Sequence, residues 1–163
     1  MDISYDKFKQ DLSIGMEVER LAMDKIIAHY LEKRYIKFKP GTIQDENNYK
    51  DVKYDFELIG PKDESLTFEV KQNKQVDKYG TYFLEIVDQY GRPSGLSTSR
   101  ADFHVFVNGD KNEFVVIRTK YIENIVRILE EDHKLKVVRS INGTVGYVIN
   151  KNMILKFQEF SVN

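Results

Sequence analysis

The chain has no cysteine and no tryptophan, only three prolines in 163 residues, and no excess of either charge: 25 Lys and Arg stand against 26 Asp and Glu. Without cysteine there are no disulfides, thiolate metal sites or cysteine nucleophiles. A formal net charge of −1 and a pI near 6.3 give no overall basic field of the kind a nonspecific nucleic-acid binder uses. No apolar run approaches the ~18–20 residues of a membrane helix. Met1-Asp2-Ile3-Ser4-Tyr5-Asp6 lacks the basic-then-apolar pattern of a signal peptide, so an intracellular, cytoplasmic setting is expected. Repeats, low-complexity tracts and Pro/Gly-rich linkers are missing too, and so are Gly-rich phosphate loops, zinc spacings and a Ser/His/Asp set. With 41% hydrophobic and 31% charged residues the expectation is one globular domain, residues 1–163.

What is present alternates. Val52–Ile59 and Leu66–Lys71 each place apolar residues on every second position, the signature of half-buried strands. The connector Gly60-Pro61-Lys62-Asp63-Glu64-Ser65 suits a hairpin. If that hairpin is symmetric about Lys62, Glu57 faces Thr67 and Asp55 faces Glu69, and directly opposed Cβ atoms lie about 4.5–5.5 Å apart. Two carboxylates so close repel unless a cation sits between them, and hard divalent ions take oxygen ligands of this kind. Lys71 lies one strand period beyond Glu69 on the same polar face, within reach of a phosphate or water held there. The residue types and spacing point to metal-assisted attack on a phosphodiester.

Other elements read as follows. A first helix runs from Tyr5 or Ser13 to Arg34, with Ser13 as a candidate N-cap and Ile14, Val18, Leu21, Ala22 and Ile26 as its apolar stripe. Tyr35–Lys39 reads as a strand ended by Pro40-Gly41, and Thr42–Lys50 as a loop. Strands are expected at Thr81–Val87, Ala101–Val107 and Glu113–Arg118, the last two joined by the turn Asn108-Gly109-Asp110-Lys111. A helix over Tyr121–Asp132 follows, then short strands at Lys136–Arg139 and Gly146–Ile149 and a final turn or helix at Met153–Phe157. The order α-β-β-β-β-β-β-α-β-β indicates an α/β (α+β) fold, a mixed sheet flanked by helices.

Asp55…Glu69-Val70-Lys71, preceded by a helix carrying Gly15-Met16-Glu17-Val18-Glu19, resembles the PD-(D/E)xK nuclease superfamily with its restriction-endonuclease-like fold. The helix motif resembles that of archaeal-type Holliday junction resolvases and small phage nucleases, and Ser94–Phe103 also resembles a segment of the phage members. The position before the first acid is Tyr54 where many members have proline. The resemblance implies a Mg2+- or Mn2+-dependent endodeoxyribonuclease, with Asp55, Glu69 and Lys71 catalytic. It implies that Asp55, Glu69, the Val70 carbonyl and Glu19 bind the metal; Glu17 competes with Glu19, which is favoured because Ala22 follows it by one turn. Its partner would be DNA, duplex or branched, in phage recombination or repair in a bacterial or archaeal host, and branch cleavage favours a homodimer. Two other classes stay open: an inactive DNA-binding or accessory protein, and an interaction protein that inhibits host machinery.

The remaining candidates are assigned individually. Lys74, Ser97, Thr98 and Arg100 are expected to grip DNA phosphates. Glu57 reads as a solvated strand charge or a further ligand, and Gln72 as a strand-end residue. Glu85 reads as a strand charge or a partner of a site residue. His104 reads as a satisfied structural histidine. Tyr79, Tyr82 and Tyr90 are core and rim aromatics or base-stacking platforms.

Overall fold

The computed structural model describes residues 3–73, 76–109 and 113–163, with side chains described from Ile14 onward. In chain order the elements are α1 (Ile3–Arg34), β1 (Lys39–Ile43), β2 (Phe56–Ile59), β3 (Ser65–Asn73), α2 (Val76–Tyr79), β4 (Thr81–Val87), β5 (Phe103–Asn108), β6 (Glu113–Arg118), α3 (Thr119–Glu131), β7 (Lys136–Arg139), β8 (Val145–Asn150), α4 (Lys151–Lys156) and β9 (Phe160–Val162). The nine strands among the described residues divide between a six-stranded sheet, β1-β2-β3-β5-β6-β9, and a three-stranded one, β4-β8-β7. All neighbours are antiparallel except β3 and β5, whose parallel pairing makes the larger sheet mixed.

One apolar cluster joins α1 to the large sheet. Val18, Ala22, Met23, Ile26 and Tyr30 lie at helical spacing and are buried against Phe56, Leu58, Phe68, Val70, Phe103, Val105, Phe114 and Val116. The rings of Phe56, Phe68 and Phe103 stack across three strands at centroid separations of 4.9 and 5.1 Å. A second cluster covers the opposite face, where Phe106, Val115 and Ile117 meet Tyr82 and Leu84 of β4, Ile149 of β8, and Ile122 and Ile125 of α3. β5 is buried along its whole length, as a strand covered on both faces must be.

Several sequence expectations shift. Ser13 lies inside α1 rather than at its start, and Ile14 is 38% exposed, so the stripe begins one turn later. The first strand is not Tyr35–Lys39: β1 begins at Lys39 and runs through Pro40-Gly41. β1 is an edge strand, where a missing N–H is tolerated. Gly41 lies against the Glu57 carboxylate, which would have to shift to admit a side chain there. β2 is also shorter than expected, because residues 52–55 lie outside the ladder. β9 and α2 had no counterpart in the sequence reading, and the turn residues 110–112 lie outside the described residues.

Candidate active site

The β2–β3 hairpin has the expected register: Ile59 pairs with Ser65, Leu58 with Leu66, Glu57 with Thr67 and Phe56 with Phe68. Asp55 lies just before the ladder, so the expected Asp55–Glu69 pair is not part of the register. The Asp55 N–H donates to the Phe68 carbonyl at 2.9 Å, and its own carbonyl accepts from the Gln44 N–H at 2.8 Å. Its side chain then turns back to β3, where Oδ2 accepts the Val70 N–H at 2.6 Å. Asp55 is only 7% exposed, held by β3 and by Gln44 just past β1.

On β3, Glu69 and Lys71 alternate with the core residues Phe68 and Val70, in register with His104 and Phe106 of β5. The Lys71 Nζ meets Glu69 Oε1 at 2.6 Å, with the Glu69 side chain 13% exposed and that of Lys71 39%. Glu19 projects from the middle of α1, half-buried, while Glu17 is exposed.

Electrostatics ties these groups together. Burial, reinforced by the charges of Asp55 and Glu69, pushes the Glu19 carboxyl up to about 8. Burial and then Glu69 raise Asp55 to about 6, against the opposing pull of the Val70 N–H bond and Lys71. For Lys71, burial works against the ammonium, but Glu69, Asp55 and Glu85 outweigh it and leave its pKa above the ordinary value. Glu19 is thus held protonated near neutral pH, first by burial and then by its carboxylate neighbours, and such perturbation concentrates at functional sites.

This chemistry suits a hard cation: carboxylate oxygens and a main-chain carbonyl, mutually repelling, in a partly buried place. The side chains as they stand do not form a finished coordination shell. Among the described residues no three His, Asp or Glu side chains are close enough to hold a metal ion. One oxygen of Asp55 is engaged by Val70, and one of Glu69 by Lys71.

The neighbouring candidates sort by what they touch. Glu57 braces the sheet: it accepts from the Thr42 N–H at 3.0 Å and the Ser65 hydroxyl at 2.5 Å, which hold its pKa below the ordinary value. His104 is 2% exposed and bonds the Thr119 hydroxyl through Nδ1 at 2.8 Å. Burial, and secondly Lys71, push it down to about 3, so it stays neutral. Ser97 donates to the Ile86 carbonyl and Thr98 to that of Gly95, which ties their hydroxyls into their own loop. Arg100 is exposed beside a cavity of about 450 Å³ that Arg118 and Lys120 also line. Lys74 lies outside the described residues. Gln72 is exposed, Tyr82 is fully buried with its hydroxyl on Asn108, and Tyr79 and Tyr90 are 60% and 73% exposed.

A cavity of about 620 Å³ between α1 and the β1–β2 connection was not foreseen. Met16, Glu19, Gln44 and Tyr49 are among its walls. No sequence pattern marks it, because its two sides come from elements with no shared periodicity.

No protein-family model matches the sequence, and no curated protein matches it. Among solved structures, the chain resembles D212, a nuclease from a fusselovirus, at 18% identity and a TM-score of 0.50. The match covers 86% of this chain and 85% of that one. The two proteins share a fold, a mixed sheet flanked by helices.

Proposed function

We propose that this protein is a metal-dependent endodeoxyribonuclease of the PD-(D/E)xK type. The observation that carries the reading is the joint placement of Glu19, Asp55, Glu69 and Lys71, with two of the acids raised well above their ordinary pKa. The shared fold with a viral nuclease supports it.

Asp55, Glu69 and the Val70 carbonyl would hold a Mg2+ or Mn2+ ion, with Glu19 bound directly or through water. Such an ion supplies Lewis acidity toward a phosphate oxygen and acidifies water. The chain's own contribution is orientation and charge. Hydrogen bonds to Gln44, just past β1, and to β3 fix Asp55, so one ligand is preorganised without reorganisation during reaction. Lys71 offers a fixed ammonium to the phosphate oxygens, where negative charge grows as water attacks in line and a 5′-phosphate is left. Arg100, Ser97 and Thr98, with Lys74, would follow the DNA backbone. Branched DNA is the favoured substrate form, cut by a homodimer inside a phage-infected cell.

The test is a cleavage panel with Mg2+ and with Mn2+ on single strands, duplexes, flaps, four-way junctions and RNA, with Lys71→Ala as control. Cleavage of a DNA member by wild type and not by the variant is the expected result. Wild type that leaves every substrate intact removes the catalytic reading. One observation favours a second reading, an inactive DNA-binding or accessory protein: the acids pair with Val70 and Lys71 instead of converging. DNA binding that persists in Lys71→Ala, without cleavage by wild type, would select it.

A further inference from the structure

Across from Lys71, on the smaller sheet, stands another acid. Lys71, Glu85 of β4, Leu96 and His104 line one small cavity of about 140 Å³. The Glu85 carboxylate is fixed in it, because the Ser94 hydroxyl donates to its Oε1 at 2.7 Å. The chain immediately beyond Ser94 is also fixed against β4. Gly95 adopts φ +52°, and a side chain there would run into the Glu85 carbonyl.

The nuclease reading asks two things of Glu69 that conflict. Its Oε1 is 2.6 Å from the Lys71 Nζ, yet Glu69 is also wanted as a metal ligand. An ammonium that lost this partner would swing away unless a second anion held it. His104 cannot serve, since it is buried, neutral and bonded to Thr119. Gln72 and Asn73 carry no charge. Asp55 has its Oδ2 on the Val70 N–H and is itself wanted by the cation.

We infer that Glu85 is the positioning residue for Lys71: from the smaller sheet it keeps the ammonium aimed at the site when Glu69 turns to the cation. The inference rests on the nuclease reading for its purpose, but not for its geometry. It makes the three-stranded sheet part of the active machinery, since β4 brings Glu85 to a strand of the other sheet. It also accounts for the Ser94-Gly95 turn, which clamps Glu85 from behind.

Two measurements test it, one of them independent of activity. In the metal-free protein, acylation of individual lysines is followed by mass spectrometry, with the exposed Lys62 as the internal standard. In Glu69→Gln, Lys71 should still react several-fold more slowly than Lys62, because Glu85 holds it. In Glu69→Gln/Glu85→Gln it should react several-fold faster than in Glu69→Gln, with burial and Asp55 still acting on it; equal rates in the two variants overturn the inference. If Lys71 already reacts like Lys62 in the single variant, Glu85 does not hold it and the inference is overturned. The second measurement is steady-state cleavage. Glu85→Gln should lower kcat about 10–100-fold with KM nearly unchanged, as losses of orienting partners do, and should cost nothing more in a Lys71→Met background. An unchanged kcat, or a full additional loss in that background, overturns it. Wild type inert on every substrate, with Lys71 still protected in Glu69→Gln, would instead remove the nuclease reading and leave the positioning contact standing.

Discussion

The two sheets solve opposite problems. The six-stranded sheet is covered on both faces at its centre, where β5 and β6 are buried almost throughout. The three-stranded sheet ends in β7, whose four residues are all exposed. The candidate site lies where one sheet meets the other: Asp55, Glu69 and Lys71 come from the sealed sheet and Glu85 from the open one. A rigid scaffold can hold repelling carboxylates that a mobile one would let drift apart. The open layer contributes a single side chain and has no comparable burden, so perturbations should be felt unequally.

The largest effect is expected at the seam. Phe106 is fully buried, belongs to the cluster shared by the two sheets, and is the register partner of Lys71 on the neighbouring strand. Phe106→Ala should cost about 3–5 kcal/mol in denaturant unfolding, from lost burial and the cavity left behind. A cost under about 1 kcal/mol would mean that the two layers are not tightly packed. Next comes Lys71→Met, a change of charge at nearly constant volume. It should leave unfolding within about 1 kcal/mol of wild type and reduce cleavage roughly 10²–10³-fold, the usual consequence of deleting one electrostatic stabiliser. Equal activity in the two proteins would remove Lys71 from the chemistry.

The sealed sheet was the more legible of the two. The hairpin from Phe56 to Phe68 could be read residue by residue, because alternation and a turn-rich connector together fix register; the Asp55–Glu69 pair expected beyond it is not formed in the ladder. β1 starts later than expected because Pro40-Gly41 looks like a stop, whereas an edge strand accepts proline and the glycine packs against the Glu57 carboxylate. β9 is only three residues, Phe160-Ser161-Val162, too short for periodicity; its pairing with β6 and the stacking of Phe160 on His29 define it. Nothing in the alternation of Thr81–Val87 says which sheet it joins, so Glu85 could be suspected but not placed. That Glu19 lies nearer the buried side of α1 than Glu17 was legible from helix phase, since Val18, Ala22 and Ile26 fix that side. What spacing cannot convey is side-chain direction. The oxygens of Asp55 and Glu69 found an N–H and an ammonium, and opposed strand positions alone do not foretell that.

The acid cluster also makes a prediction about pH. Glu19 titrates at about 8 in the fold against an ordinary 4.5, facing Asp55, Glu69 and Lys71. The native chain therefore keeps a proton that the unfolded chain has lost, and stability falls as pH rises between those values. His104 acts in the opposite sense below about 6.5, because only the unfolded chain accepts its proton. Glu19 is thus isolated from His104 between pH 6.5 and 8. There the metal-free protein should lose about 1–2 kcal/mol, and Glu19→Gln should flatten the slope. Melting curves at the two pH values read this directly. A wild-type curve that rises over the interval would mean Glu19 is ionised in the fold and lies farther from Asp55 and Glu69.

The smallest effect belongs to the open edge. Val137 and Val138 are 57% and 42% exposed on β7, and Ile141 beyond them is fully exposed. Exposed valines bury little area, so Val138→Thr should change unfolding by no more than about 0.5 kcal/mol. A bare edge strand is also a template for pairing with another chain. The measurement is therefore made at two protein concentrations a hundredfold apart. An equal, small change at both confirms an uncovered edge. A cost above about 1 kcal/mol that appears only at the higher concentration would show a second copy covering β7 in solution. The contrast between a sealed and an open sheet would then hold for the isolated chain alone, and Glu85 would stand on a layer as fixed as the one carrying Lys71.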